Sequence, residues 1–453
     1  GTLGIINGMN EPSVPGDDRR DTTMAQPSQP TPDQDAPPRL RRPDRHRVIT
    51  QPRTWDDLVP DDHLVRTIWT LVQRWDLTLF LQAIRARGRR PGRAATDPRL
   101  LLALWLYAAT QGIGCGRKLD RLCTESDPYR WLCGGVSVNY HTLNDFRVDH
   151  EEALDDLLTQ MLAVLIEAGV VSVGRIAQDG TRIRANAGTN SFQEGETLEK
   201  HLRAAREHLE ALEQAAADPK LSAQQEAARE RAARERQQRL EQALAELEEV
   251  KRAKAQQKDK PSKDHPPRAS STDPEARMMR MPDGGTRPAY NLELAADCDS
   301  RAIVGVATTN AGSDAGQDQP MRDQVEARAD EAVAEQLIDG GFCRLESIER
   351  AAVEEVVISM PVPEPRKAGV DRYTPKPTDS AAVAEWRQRM GTDAAKGVYK
   401  QRSSTVETIN GELKTYRGLV PLLVRGLRKV QCVALWSALA YNIVHFAPYL
   451  LEG

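Results

Sequence analysis

The sequence predicts a mixed α+β fold with three kinds of segment. Apolar residues recur three and four apart between residues 55 and 169, which is the period of an amphipathic helix. Segments 171–186 and 287–310 instead carry short apolar runs bounded by turn residues, as strands do. Residues 194–258 are dominated by Ala, Glu, Arg, Gln and Leu, and Pro219 breaks the run. This composition predicts two long helices folded back as a hairpin, inserted between the first two strands of the sheet.

Composition and charge indicate a folded protein of the cytoplasm. With 453 residues, 40% hydrophobic and 28% charged, the chain is long enough for two or three domains. The net charge of −4 does not mark a nucleic-acid binder, although basic residues cluster within the first hundred positions. The six cysteines have neither CxxC pairs nor zinc spacing, so we expect reduced thiols. The most apolar run, 430–447, contains Gln431, Asn442 and His445, and it predicts a buried helix and no membrane span.

In chain order we expect a disordered tail, a helical domain, a sheet domain interrupted by the hairpin, and a closing helix. The tail is rich in Pro, Asp, Gln and Arg and has almost no apolar pattern. In the sheet domain the expected order is strand, hairpin, helix, strand, helix, strand, helix. The predicted boundaries are 1–45 for the tail, 46–169 for the helical domain, 170–193 and 270–425 for the sheet domain, 194–269 for the hairpin insertion with its linker, and 426–453 for the C-terminal helix.

Two basic stretches and one helical pair in the first 150 residues suit DNA. Arginines are frequent over 39–53, where a basic arm could hold phosphates; a solvated tail is an equal alternative. Segment 114–150 reads as helix, turn, helix, with Asn139 or Thr142 at the start of the second helix. This layout is compatible with a helix-turn-helix motif, although helical pairs are common in any α-helical domain. The second basic stretch consists of Arg85, Arg87, Arg89, Arg90 and Arg93.

Two aspartates occupy settings that a solvated charge does not need. Asp179 follows a strand-like run and, with Gly180, is expected to end the strand. Asp339 follows a predicted helix over 319–336 and a very short apolar run, and two glycines after it allow a sharp turn. Each aspartate would therefore stand at a strand end, where a sheet presents groups to a ligand. Asp314 and Asp318 lie in a predicted loop and could be neighbours of such a site or helix caps.

A glutamate joins the two aspartates as a candidate. A helix predicted from about Ser403 carries Val406, Ile409 and Leu413 on the stripe that would face a core. Glu407 lies beside Val406, at the edge of that stripe. For a lone glutamate, a solvated outer face is the more common explanation. Three carboxylates from distant segments would stay ionised in one pocket only around a cation, and oxygen ligands suit Mg²⁺ or Mn²⁺.

These motifs together resemble the DDE transposases of bacterial insertion sequences. The pattern is D…D…E, with Tyr399 and Arg402 before Glu407, and Lys414 seven residues after it. The blocks AQDGTRIRANA, MPDGGTRPAYNLELAAD, LIDGGF, SMPVPEP and YKQRSSTVETINGELKTYRGL look like those of the insertion-sequence eleven-eighty-two group, related to the four/five class. So does GRAATDPRLLLALWLYAATQGIGCGRKLDRLC…YRWLCGGVSVNYHTLNDFR, and the resemblance covers most of 45–447. One departure is that four residues, not the class's three, separate Arg402 from Glu407.

The resemblance implies an RNase H-like catalytic domain behind an all-α DNA-binding domain. The implied activity is metal-dependent cleavage and strand transfer at the terminal inverted repeats of the protein's own element. Asp179 would bridge two Mg²⁺ or Mn²⁺ ions, with Asp339 and Glu407 holding one ion each. The implied partners are inverted-repeat and target DNA, bound by a homodimer in the nucleoid-associated cytoplasm. The residues expected to contact DNA are Tyr399, Arg402, Lys414, Arg182 and Arg184.

Two other functions remain open on the sequence. A DNA-binding remnant of a mobile element could have lost catalysis, although all three carboxylates are present and every block is intact. A Mg²⁺-dependent nuclease that does not rejoin ends would need the same residues.

Overall fold

The protein contains a mixed six-stranded sheet. The structure is a computed structural model, and it describes residues 52–84, 94–214, 221–256, 266–365 and 369–452. Residues Arg53–Gly453 form one unit. The predicted tail, all but the end of the first basic stretch, and the five arginines of the second stretch lie outside the described residues.

Seven α-helices precede the sheet among the described residues. Asp97 starts the third by accepting a hydrogen bond from Arg99 N, and Asn139 starts the sixth by accepting from His141 N and Thr142 N. Of the two starts considered for the second helix of the pair, Asn139 and Thr142, the structure has Asn139, and two helices rather than one precede it. The helices are α1 (Leu64–Arg74), α2 (Thr78–Gln82), α3 (Pro98–Thr110), α4 (Gly116–Glu125), α5 (Asp127–Cys133), α6 (Tyr140–Val148) and α7 (Glu151–Glu167).

The strands are β1 (Arg175–Arg184), β2 (Phe192–Gln193), β3 (Ala269–Ser270), β4 (Arg277–Arg280), β5 (Thr286–Asp297), β6 (Ile303–Thr309), β7 (Glu335–Leu337) and β8 (Val357–Ser359). The main sheet has the order β4–β5–β1–β7–β8, and β6 also pairs with β5. β5 is antiparallel to β1, β4 and β6, whereas β7 is parallel to β1 and to β8. The predicted hairpin of β5 and β6 is confirmed. β3 and β4 were not predicted. β3 begins at the end of the predicted linker, and β4 lies at the start of the predicted sheet domain, before the first strand expected there.

The long insertion contains the two predicted helices, α8 (Gly195–Gln214) and α9 (Ala223–Gln256). They lie between β2 and β3, which pair with each other, and hence between β1 and the next strand of the main sheet. Leu198 and Leu202 of α8 are buried together with Leu240 and Leu247 of α9. The helices therefore pack as a hairpin with a small core of their own.

The remaining helices are α10 (Asp318–Ala329), α11 (Leu345–Val353), α12 (Ala381–Met390), α13 (Asp393–Arg402), α14 (Thr408–Tyr416) and α15 (Leu427–Glu452). A 3₁₀ turn spans Gly340–Phe342, and one π-helical turn, Ser403–Glu407, joins α13 to α14. The predicted helix over 319–336 is too long. It ends at Ala329 because Asp330 takes a left-handed conformation with φ 53°, and β7 follows.

The last helix is a core element shared with the N-terminal helices. Trp436 of α15 is 2% exposed, and its Nε1 donates to Arg147 O at 2.9 Å. By length and composition α15 could cross a membrane, but 78% of its most apolar window is buried inside the protein. The prediction of a buried helix is confirmed. One apolar cluster runs through α1, α3, α7, the sheet and α15, so residues 46–169 do not bury their apolar surface alone.

Candidate active site

Asp179 and Asp339 lie at equal distances beyond the last paired position of two neighbouring parallel strands. Ala177 of β1 pairs with Leu337 of β7, and the parallel pairing stops there. Asp179 and Asp339 are each two residues further on, and side chains two apart in an extended chain point to one face. Asp339 lies past the end of β7, as predicted. The prediction that Asp179 ends its strand is wrong, because β1 continues to Arg184 along its antiparallel partner β5.

The glutamate lies on a helix with a π-helical turn. The helical stretch begins at Asp393, ten residues before the predicted start at Ser403, and its hydrogen-bonding pattern widens over Ser403–Glu407. Such turns carry one additional residue within an α-helix. The four residues that separate Arg402 from Glu407 match this insertion, and the two side chains meet with Arg402 Nη1 3.4 Å from Glu407 Oε1. Arg402 thus reaches the face of Glu407 from inside the helix, because the helical stretch does not begin at Ser403 as predicted.

The guanidinium of Arg402 brings the three carboxylates together. Its Nη2 lies 2.6 Å from Asp179 Oδ1 and 3.8 Å from Asp339 Oδ2, and its Nη1 contacts Glu407. The side chain of Arg402 is 9% exposed, whereas those of Asp179, Asp339 and Glu407 are 16%, 37% and 59% exposed. The three acidic residues predicted from distant segments therefore converge, and they converge on a cation.

Asp179 is held at both of its oxygens. Oδ1 accepts from Arg402, and Oδ2 accepts from Asn410 Nδ2 at 2.9 Å. Burial raises the pKa of Asp179 to about 6, against the attraction of Arg402, and the like charge of Asp339 adds to the rise. Asp339 is fixed locally, since its Oδ1 accepts from Gly341 N at 2.7 Å. The first aspartate is therefore the most constrained member of the set.

Lys414 and Tyr399 border this cluster. Lys414 Nζ donates to Thr181 Oγ1, two residues along β1 from Asp179. Burial lowers the pKa of Lys414, and the charge of Asp179 acts in the opposite direction. Tyr399 is half-buried against the apolar cluster of α11 and α12, and this burial raises its pKa.

The two arginines of β1 differ in their surroundings. Arg182 donates to the backbone carbonyls of Arg280 and Gly312, both at 3.0 Å, so its guanidinium is engaged within the protein. Arg184 is exposed at the end of the strand, and Ile183 between them is buried. Of these two arginines, both expected to contact DNA, only Arg184 is therefore exposed, whereas the guanidinium of Arg182 is hydrogen-bonded within the protein.

A second acidic pair lies beside Asp179 and was not predicted as part of the site. Glu293 of β5 is 1% exposed, and Asn291 Nδ2 donates both to its Oε1 at 2.8 Å and to Asp314 Oδ1 at 2.5 Å. Burial raises the pKa of Glu293 to about 8; a bond from Gln178 opposes this shift and the Asp314 carboxylate adds to it. One signal was available: Glu293 interrupts an otherwise apolar run in β5.

Gly180 makes room for that pair. A Cβ at this position would lie 2.3 Å from Asp314 Oδ1 and 2.8 Å from Glu293 Oε1. A side chain here would have to displace these two carboxyl groups, so their close approach, and not a strand end, accounts for the glycine. Asp314, a secondary candidate on the sequence, is thus a neighbour of the site.

No group of three or more His, Cys, Asp or Glu within the described ranges is arranged to hold a metal ion. The donor chemistry of Asp179, Asp339 and Glu407 nevertheless fits a hard divalent cation, because all the converging atoms are carboxylate oxygens. As they stand, these oxygens surround a guanidinium.

Comparison with protein families finds two matches. Residues 53–149 match a model described as "Transposase domain (DUF772)", and residues 366–447 match one described as "Transposase DDE domain". Both models describe transposase domains, and the matches indicate a transposase. No curated protein and no solved structure matches the chain. The DDE match indicates a DNA-cleaving enzyme and includes Arg402 and Glu407, whereas Asp179 and Asp339 lie outside it.

Proposed function

We propose that the protein is a metal-dependent DNA transposase that cleaves and transfers strands at the terminal inverted repeats of its insertion sequence. The observation that carries this proposal is the convergence of Asp179, Asp339 and Glu407 within 4 Å of one guanidinium. Three carboxylates repel one another in a shared pocket unless a cation lies between them. Glu407 lies in the segment that matches the transposase DDE model, and we therefore assign phosphoryl transfer on DNA to this acidic site.

The proposed catalytic fold is RNase H-like. Its support is the strand order β6–β5–β1–β7–β8, in which β5 alone runs against the others. In this arrangement the first aspartate lies on the central strand β1 and the second follows the neighbouring strand β7. The glutamate comes from the π-helical turn, which packs against β1 and β5. The specific assignment to the insertion-sequence eleven-eighty-two group is part of the same proposal.

In the proposed reaction, Asp179, Asp339 and Glu407 hold two Mg²⁺ or Mn²⁺ ions. Such ions, when bound, activate the attacking oxygen and stabilise the leaving oxygen of a phosphoryl transfer. The chain's own contribution is to fix the ligands. Asn410 orients Asp179 through Oδ2, and Gly341 N orients Asp339 through Oδ1.

Phosphate contacts are assigned to Lys414, Tyr399 and Arg184. An ammonium has three donors, so the bond from Lys414 to Thr181 leaves donors for a phosphate beside Asp179. Tyr399 lies close enough to Asp179, Asp339 and Glu407 for their charges to act on its pKa, and Arg184 is exposed further along β1. Arg182 is a weaker candidate than the sequence suggested, because both of its terminal nitrogens already donate to carbonyls.

Recognition of the element ends is assigned to residues 46–169, which include the matched segment 53–149. Asn139 starts α6 after α4 and α5, and α6 is the proposed recognition helix. The hairpin of α8 and α9 is proposed as a structural element or dimer contact, in a homodimer that acts on DNA in the nucleoid-associated cytoplasm.

One assay separates the proposal from its two alternatives. Full-length protein is incubated with labelled end DNA, Mg²⁺ and a supercoiled target plasmid. We expect cleavage at the element end followed by joining to the plasmid. Cleavage without joined product would indicate a nuclease, and end binding without cleavage would indicate an inactive remnant of a mobile element.

A further inference from the structure

Arg402 occupies the position in which a catalytic cation would be expected. Its guanidinium contacts all three proposed metal ligands, and it is more deeply buried than any of them. These contacts give the arginine a task within the protein, in addition to any contact with phosphate.

We propose that Arg402 is a positioning residue that holds Asp179, Asp339 and Glu407 together in the metal-free protein and gives up this position when divalent ions bind. The inference rests on the proposed function and goes beyond the phosphate contact assigned to this residue from sequence. The guanidinium and the divalent ions would then compete for the same three carboxylates.

The π-helical turn is what allows one side chain to do this. In a regular α-helix residues five apart are separated by about 140° around the axis. The widened turn over Ser403–Glu407 places Arg402 and Glu407 on one side, and Val406 remains buried beneath them. The additional residue between arginine and glutamate therefore has a structural consequence, which is to aim the guanidinium into the acidic cluster.

Ion pairs hold Arg402 in place, although not all of its N–H donors are hydrogen-bonded. Its Nε is buried and has no hydrogen-bond partner among the described residues. A guanidinium has five N–H donors, and an unsatisfied buried donor lowers the stability of the arrangement that contains it. A cation that satisfies the same carboxylates can therefore replace it, while Asn410 continues to hold Asp179 Oδ2. Once released, the planar fork suits bidentate contact with a phosphate.

The test compares wild type with Arg402→Gln in the full chain, using Mn²⁺ alone as the probe. If the metal-competent state is about one molecule in ten in wild type, removing the competitor tightens the apparent Kd for Mn²⁺ about tenfold, measured by calorimetry. In EDTA the variant should melt at a lower temperature than wild type, because the carboxylates have lost their counter-ion. Saturating Mn²⁺ should reduce or abolish that difference.

Two controls make the result interpretable. Arg417→Gln removes another largely buried arginine, which is paired with Glu412 outside the cluster, and it should leave the Kd for Mn²⁺ unchanged. Asp179→Asn should bind Mn²⁺ weakly or not at all. If Arg402→Gln does not fold, Arg402→Lys serves in its place, because an ammonium cannot span three carboxylates and should also bind Mn²⁺ more tightly than wild type.

The outcomes separate this inference from the function on which it rests. Suppose that an Arg402 variant binds Mn²⁺ no more tightly than wild type and loses the same melting temperature in EDTA and in Mn²⁺. This result would overturn the inference and would not contradict the proposed metal site. A wild-type protein that binds no Mn²⁺ at these residues would overturn the proposed function itself.

Discussion

Replacing Glu293 by glutamine should change how stability depends on pH. Glu293 is 1% exposed on β5, and burial raises its pKa from 4.5 to about 8. The folded protein therefore holds a proton on this group that the unfolded chain releases above pH 4.5. The free energy of unfolding consequently falls as pH rises between these two values, and the full decrease is reached above about pH 8.

The size of the effect follows from the shift. A rise from 4.5 to about 8, at about 1.4 kcal/mol for each pKa unit, corresponds to roughly 5 kcal/mol. Glutamine has a similar shape and stays neutral, but its amide nitrogen cannot accept the hydrogen bond from Asn291 or Gln178 that the carboxyl oxygen at the same position accepts. That loss does not depend on pH, so the difference in stability, variant minus wild type, should increase by several kcal/mol between pH 5 and pH 9.

The assay is thermal unfolding of both proteins at one-unit steps from pH 5 to pH 9, without metal. The difference in melting temperature, variant minus wild type, should rise steadily with pH. Glu346→Gln is a matched control on an exposed carboxylate and should give a flat difference. A difference for Glu293→Gln that is also independent of pH would refute the reasoning, because the carboxyl would then not be held neutral by burial.

Two further substitutions test the surroundings of the proposed metal ligands. Lys414→Ala should slow cleavage of end DNA by about 10- to 100-fold, the value of one charged hydrogen bond, without changing the Kd for Mn²⁺; a large loss of Mn²⁺ binding with normal DNA binding would instead make the lysine a support of the metal site. Gly180→Ala should lower the free energy of unfolding by about 1–3 kcal/mol, because its Cβ would overlap the carboxyls of Asp314 and Glu293, and an unchanged melting temperature would contradict the packing described.

Local patterns were enough to predict some of the site. Asp339 was found because a short apolar run, an aspartate and two glycines lie next to one another in the sequence. The helix of Glu407 was found because Val406, Ile409 and Leu413 form a helical stripe, and all three are buried. These signals are short in range, so a single segment carries each of them.

The rest depends on contacts between distant segments. β1 continues past Asp179 because β5, more than a hundred residues later, pairs with it, and no local pattern reveals that partner. The apolar run around Glu293 marks it as unusual, but its proximity to Asp314 depends on the fold and has no local signal. The π-helical turn was visible only as one surplus residue before Glu407, and its effect on Arg402 required the three-dimensional arrangement.

The most direct test of the central claim is Mg²⁺-dependent cleavage of end DNA by three single variants. Asp179→Asn, Asp339→Asn and Glu407→Gln each keep the size of the side chain and remove the charge. We predict that each variant binds end DNA about as well as wild type and that none cleaves it at any Mg²⁺ concentration. A variant that cleaves at the wild-type rate would contradict the claim that these three carboxylates form one metal-dependent active site.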